Sequence, residues 1–155
     1  MENSQPNQIK ILTRFYNDLL GKEIVETMWA TVVDKEKGYY KIQNSPFYAK
    51  SIAFGDIVFA EYDESEQAIT YRRILEYSGN STIQIVILDK SVTTDEIRNI
   101  FDSLGCSSEK FKEGYFVIDV PAQMDYSLVK QCLINLSDKG QIDFAEACLS
   151  DKHIS

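Results

Sequence analysis

Five carboxylates, Asp56, Glu61, Asp63, Glu64 and Glu66, fall close together in the sequence. A carboxylate pair does acid–base work when its surroundings raise the pKa of one member. On a surface, the same groups dock a basic partner through charge complementarity. Three of them sit in a charged turn, and charged turns are usually just solvated. Docking is therefore the functional expectation here, and catalysis is not.

A second stretch, Ser78-Gly79-Asn80-Ser81-Thr82, is a small polar turn that runs directly into an apolar strand. Its backbone N–H groups and hydroxyls have the makings of an anion cradle. It lacks the helix start and lysine of a phosphate-binding loop. An interdomain turn with side-chain-to-backbone hydrogen bonds is the plainer reading. Together with Tyr48, residues Ser78, Asn80, Ser81 and Thr82 form the candidate small-molecule site. The aromatic residues Trp29, Phe47, Tyr48 and Phe54 suit either a peptide groove or a core.

His153 is the only histidine and lies in a tail expected to be mobile, which argues against a catalytic triad or a Cys/His pair. Cys106, Cys132 and Cys148 are odd in number and show no C-x-x-C spacing, so neither a disulfide framework nor a zinc site is expected. Cys132 falls in an apolar helical stripe and reads as core. No metal and no cofactor are expected.

The elements that must position these groups follow from the whole chain of 155 residues, which fits one domain or two very small ones. A chain of this size buries about 70% of its unfolded surface, enough to fold without metal or disulfide. The net charge of −8 opposes binding to nucleic acid or to an anionic membrane. The first residues lack the basic and apolar regions of a secretory signal, and no apolar run reaches the roughly 20 residues of a membrane span. A cytoplasmic protein is expected.

Residues 1–8 are polar and read as frayed. Alternating strands are predicted at 9–15, 24–33, 39–43, 57–62 and 69–77, with turns at 17–22, 34–38, 44–56 and 63–67. Five short strands with close turns predict a small antiparallel barrel, SH3-like, over residues 1–78, with a two-sheet sandwich as the alternative. From residue 79 the pattern changes. Residues 83–88 are apolar at nearly every position. Thr93 and Glu96 match a capping box, and Ile97, Ile100, Phe101 and Leu104 share one helical face up to Gly105. A hairpin at 106–120, a helix capped by Asp125 and stopped by Gly140, and a strand at 142–149 complete βαββαβ, a ferredoxin-like unit over 79–150. Residues 151–155 are the tail. The fold class is α+β with the two units packed together. If Ile83, Ile85 and Ile87 face the helices, Val86 and Leu88 lie on the opposite face, where the barrel is expected to cover them.

Trp29-Ala30, Tyr40, Asn44-Ser45-Pro46-Phe47-Tyr48-Ala49, Ala53-Phe54-Gly55-Asp56 and Ser78-Gly79-Asn80-Ser81-Thr82 together resemble the bacterial domain-of-unknown-function 4265 family. The likeness runs from the first strand to the last, departing at Gln84, where a basic residue is common in the family. It implies a bacterial cytoplasmic protein and brings no catalytic residues with it.

These readings lead to a non-catalytic binding protein. Its foremost form is an immunity protein that neutralises a basic toxin through Asp56, Glu61, Asp63, Glu64 and Glu66. The alternative is a regulatory module sensing a small molecule between barrel and sheet.

Overall fold

A computed structural model describes residues 8–17 and 20–154. The start expected to fray, apart from Gln8, residues 18–19 of the expected first turn and residue 155 of the tail lie outside these.

Strand β1 (Gln8–Asn17) pairs antiparallel along its whole length with β2 (Lys22–Asp34). Strands β3 (Tyr39–Ile42), β4 (Ile57–Asp63) and β5 (Ala68–Glu76) follow antiparallel, and a parallel contact between Leu12 and Thr70 closes the sheet into a barrel. Strand alternation explains the packing. Met28 and Ala30 of β2 point into a core with Ile11, Tyr40, Ile42, Ile52, Val58 and Ala60, while Val25, Trp29 and Val33 point out. Trp29 is therefore neither core nor groove. It is 42% exposed, with Lys10 Nζ 5.2 Å over its ring. At the β2–β3 turn, Gly38 has φ +80°, and a Cβ there would lie 2.7 Å from the Ala60 carbonyl, so only glycine fits.

The second sheet has the order β7-β8-β6-β9, built from β6 (Ser81–Ile87), β7 (Ser107–Lys112), β8 (Tyr115–Val120) and β9 (Ile142–Cys148). Helices α1 (Thr94–Leu104) and α2 (Tyr126–Asp138) cover one face. The capping box forms as expected: Glu96 N donates to Thr93 Oγ1 at 3.1 Å, and Thr93 N donates to Glu96 Oε1 at 2.7 Å. Ile97 and Phe101 of α1 and Val129 and Leu133 of α2 meet Ile83, Ile85, Phe116 and Ile118 of the sheet. The protein is thus mixed α+β, with two mainly antiparallel sheets and two helices.

Two expectations need correction. The barrel does cover the other sheet face, but only in part. Val117 and Tyr115 are buried beneath it, whereas Val86 and Leu88 remain 42% and 54% exposed. The covering element is the 44–56 loop, which runs from Glu109 of β7 across to Ala147 of β9 and leaves the far end of β6 open. The tail differs as well. A 3-10 turn over Asp151–His153 buries His153 against the sheet. Ser81 Oγ accepts from Ser150 N at 2.8 Å and lies 2.6 Å from His153 Nδ1, and His153 Nε2 lies 2.9 Å from the Pro121 carbonyl. The Pro121 carbonyl can only accept, so Nε2–H donates to it, and in the neutral ring Nδ1 then accepts from the Ser81 hydroxyl. Local polarity suggested a solvated tail; three hydrogen bonds to distant partners clasp it instead.

Candidate ligand-binding cleft

The 44–56 loop joins the two halves, and its shape is set by carboxylates placed behind it. Glu26 on β2 accepts from the backbone N–H groups of Phe47, Tyr48 and Ala49. Glu109 on β7 accepts from Ser45 N at 2.9 Å, and burial raises its pKa. Asn44 Oδ1 caps the Trp29 N–H at 2.7 Å. A carboxylate that satisfies three consecutive backbone donors fixes a loop that has no ladder of its own. Beyond it, Ser51 N donates to the Ala147 carbonyl of β9 at 2.9 Å.

So held, the loop presents Tyr48. Its ring stacks on Tyr115 of β8 at 5.3 Å with 16° between planes, and Phe111 meets Tyr48 edge-on at 5.4 Å. The Tyr115 hydroxyl donates to the Phe47 carbonyl, which also accepts from Gln84 Nε2 at 3.2 Å. Burial pushes both tyrosine pKa values up, so both phenols stay protonated at neutral pH.

Next to this stack opens a cleft of about 1060 Å³ between barrel and sheet. Tyr48, Tyr115, Gln84 and Val86 border it on one side, Thr13 to Tyr16 of β1 and Tyr71 of β5 on another, and Asp143, Phe144 and Ala145 of β9 on a third. Arg14 and Arg72 also line it, but both guanidiniums are engaged. Arg14 makes a two-pronged pair with Glu66 at 2.7 and 2.8 Å, and Arg72 bonds Glu61 and Asp63, each at 2.9 Å. A hydrogen bond from Ser65, followed by the Arg72 contact, holds the Asp63 carboxyl well below the usual range. Lys50 and Lys112 are exposed cleft cations without an ion pair among the described residues.

The acidic candidates are thus mostly committed to partners within the chain. Glu61, Asp63 and Glu66 are bound to arginines, and Glu64 is exposed without an ion pair among the described residues. Asp56 is fully buried and presents nothing to a partner. Its two oxygens accept from Ala53 N at 2.9 Å and Ser78 N at 2.8 Å, and burial raises its pKa.

The small-molecule candidates split. Tyr48 borders the cleft. The hydroxyls of the polar turn are spent internally: Ser78 Oγ donates to the Phe54 carbonyl at 2.7 Å, Thr82 Oγ1 donates to the Ile52 carbonyl at 3.3 Å, and Ser81 holds the tail. Asn80 Nδ2 donates to the Asp119 carboxylate at 3.1 and 3.2 Å. Asn80 also borders a smaller cavity of about 510 Å³ on that side. Sequence reasoning missed Arg14, Tyr16, Tyr71 and Phe144. Tyr16, placed out of phase with the buried Ile11 and Thr13, was the available signal on β1.

Among the described residues, no group of three or more His, Cys, Asp or Glu side chains is arranged to hold a metal ion. Burial pushes the Cys106 and Cys148 thiols up to about 11, away from a reactive thiolate.

Two sheets, two helices and an interposed cleft define a mixed α+β domain. The chain belongs to the family described as "Domain of unknown function (DUF4265)", whose model matches residues 26–144. The fold is similar to the crystal structure of a hypothetical protein from Neisseria gonorrhoeae, with a TM-score of 0.80 and 23% identity over 95% of this chain and 99% of that one. No curated protein matches the chain.

Proposed function

We propose that this is a non-catalytic binding protein that takes its ligand in the cleft between barrel and sheet. The observation that carries this is the built aromatic floor. Tyr48 stacks on Tyr115 beside a space of about 1060 Å³, on a loop fixed by Glu26. Sites that bind by shape are concave and apolar with a few fixed polar groups, and this cleft has that make-up. In this reading the closed five-stranded unit is an SH3-like barrel, and the sheet order β7-β8-β6-β9 is that of a ferredoxin-like unit. A bacterial cytoplasmic setting suits the acidic composition and the three free cysteines. A thermal-shift screen of amino acids, nucleotides and short peptides tests the proposal, since a ligand that binds only the folded state raises the melting temperature. Stabilising compounds must lose their effect on a Val86→Arg chain; equal effects on both chains would place binding elsewhere.

A second reading, neutralisation of a basic toxin, is favoured by the net charge of −8 and by the exposed Glu64 at the β4–β5 turn. Glu64→Lys, combined with Glu61→Lys, should weaken such a complex. Unchanged affinity would remove that surface.

A further inference from the structure

The barrel is closed at one point only, and the strand that leaves it there is open along the cleft. The Trp29 N–H donates to Asn44 Oδ1 and the Trp29 carbonyl accepts from Gln43 N, so the backbone of Trp29 faces away from β1. Trp29 lies opposite Lys10. In an antiparallel pair such positions alternate with the hydrogen-bonded ones. Lys10, Leu12, Arg14 and Tyr16 therefore turn their own N–H and C=O groups away from β2. Leu12 finds β5 on that side, opposite Thr70, but the pairing goes no further. From Arg14 to Tyr16 the outward edge of β1 meets no strand among the described residues, and both residues border the cleft.

A further strand edge at the cleft, that of β9, is blunted. Phe144 N donates to Asp143 Oδ1 at 2.9 Å and the Ala147 carbonyl is taken by Ser51. Proteins normally protect exposed strand edges by such devices. On β1 the hairpin stays in its ladder with β2 while its free edge faces an apolar cavity.

Resting on the cleft reading above, we infer that the cleft binds an extended segment of a partner polypeptide, added as a strand to the Arg14–Tyr16 edge of β1. Backbone hydrogen bonds supply affinity in such strand addition, and alternate side chains supply selectivity. Here one set of side chains would fall on Tyr48, Tyr115 and Val86. Among the described residues, the cleft charges free of ion pairs are Lys50, Lys112 and Asp143, a small positive excess in a chain of net charge −8, which favours a segment carrying an acidic residue. A phosphate-rich ligand fits less well, because Arg14 and Arg72 already hold carboxylates.

The test is selection of displayed random 12-residue peptides on the full-length chain, counter-selected on Val86→Arg. The chosen peptide is then resynthesised with single N-methyl groups at successive positions. Strand addition to one edge predicts a period of two, with about tenfold loss at every second residue and little change between. Tyr16→Pro, which removes an outward donor but no β1–β2 hydrogen bond, should weaken binding by a similar factor. Uniform tolerance of N-methylation would overturn strand addition and leave the cleft reading standing. Failure to enrich any peptide on the parent chain over Val86→Arg would also overturn it. If small molecules nevertheless stabilise the parent chain and not Val86→Arg, the cleft reading survives. If neither binds, both fall.

Discussion

The rings of Tyr48 and Tyr115 stack at 5.3 Å across the junction of barrel and sheet, on a loop whose backbone Glu26 holds from behind. The contact joins residues far apart in sequence and makes the two halves share one wall. Stacked aromatic pairs add about 0.5–1.5 kcal/mol beyond buried area. Tyr115→Phe keeps the ring and removes the bond to the Phe47 carbonyl, which retains Gln84. It should cost about 1 kcal/mol in urea unfolding.

Glu26→Ala should be more damaging. It leaves the N–H groups of Phe47, Tyr48 and Ala49 without their acceptor. A loss of about 1–3 kcal/mol is expected, from unsatisfied, partly buried donors and a freed loop. Hydrogen exchange should quicken at those three amides before it does in the β6 core.

Stability should rise as pH falls from 7.5 toward 5. Burial pushes Asp119 up to about 6, with Glu109 and Asp56 adding repulsion, while burial also raises Glu109 and Asp56. The folded chain therefore holds these protons more tightly than the unfolded one, and the gain is lost as pH rises through about 6. At lower pH the trend reverses. Asp63, Glu66 and Glu113 are held below the usual carboxylate range by their hydrogen bonds, and the stability they lend disappears as they protonate. Melting temperatures across pH 4–8 check this, and Asp119→Asn should flatten the step near 6.

Removing residues 150–155 should destabilise the protein by about 1–3 kcal/mol, because Ser81 and the Pro121 carbonyl lose buried partners. A truly free tail would be removed without change in a urea midpoint.

Local signals were legible in the sequence and long-range ones were not. Thr93 and Glu96 announced α1 because a capping box is written within four residues. The apolar run of β6 correctly marked a strand with two faces to cover. Which residues would be covered depended on where the 44–56 loop crosses, and that is fixed by Glu26 and Glu109, remote in sequence. The acids of the β4–β5 turn looked like a surface patch because Arg14, 52 residues from Glu66, gave no local sign of pairing with it. The polar turn at 78–82 carried both a structural reading and a ligand-site alternative; its hydroxyls are taken up internally, and its clasp by His153 comes from the other end of the chain.

Val86 tests the central claim most directly. It is 42% exposed at the cleft, so Val86→Arg should shift the melting temperature by no more than about 2 °C, within the usual range for surface substitutions. Measured by thermal shift beside the parent chain, it should abolish the stabilisation given by cleft ligands. A folded Val86→Arg chain stabilised as strongly as its parent would contradict the account.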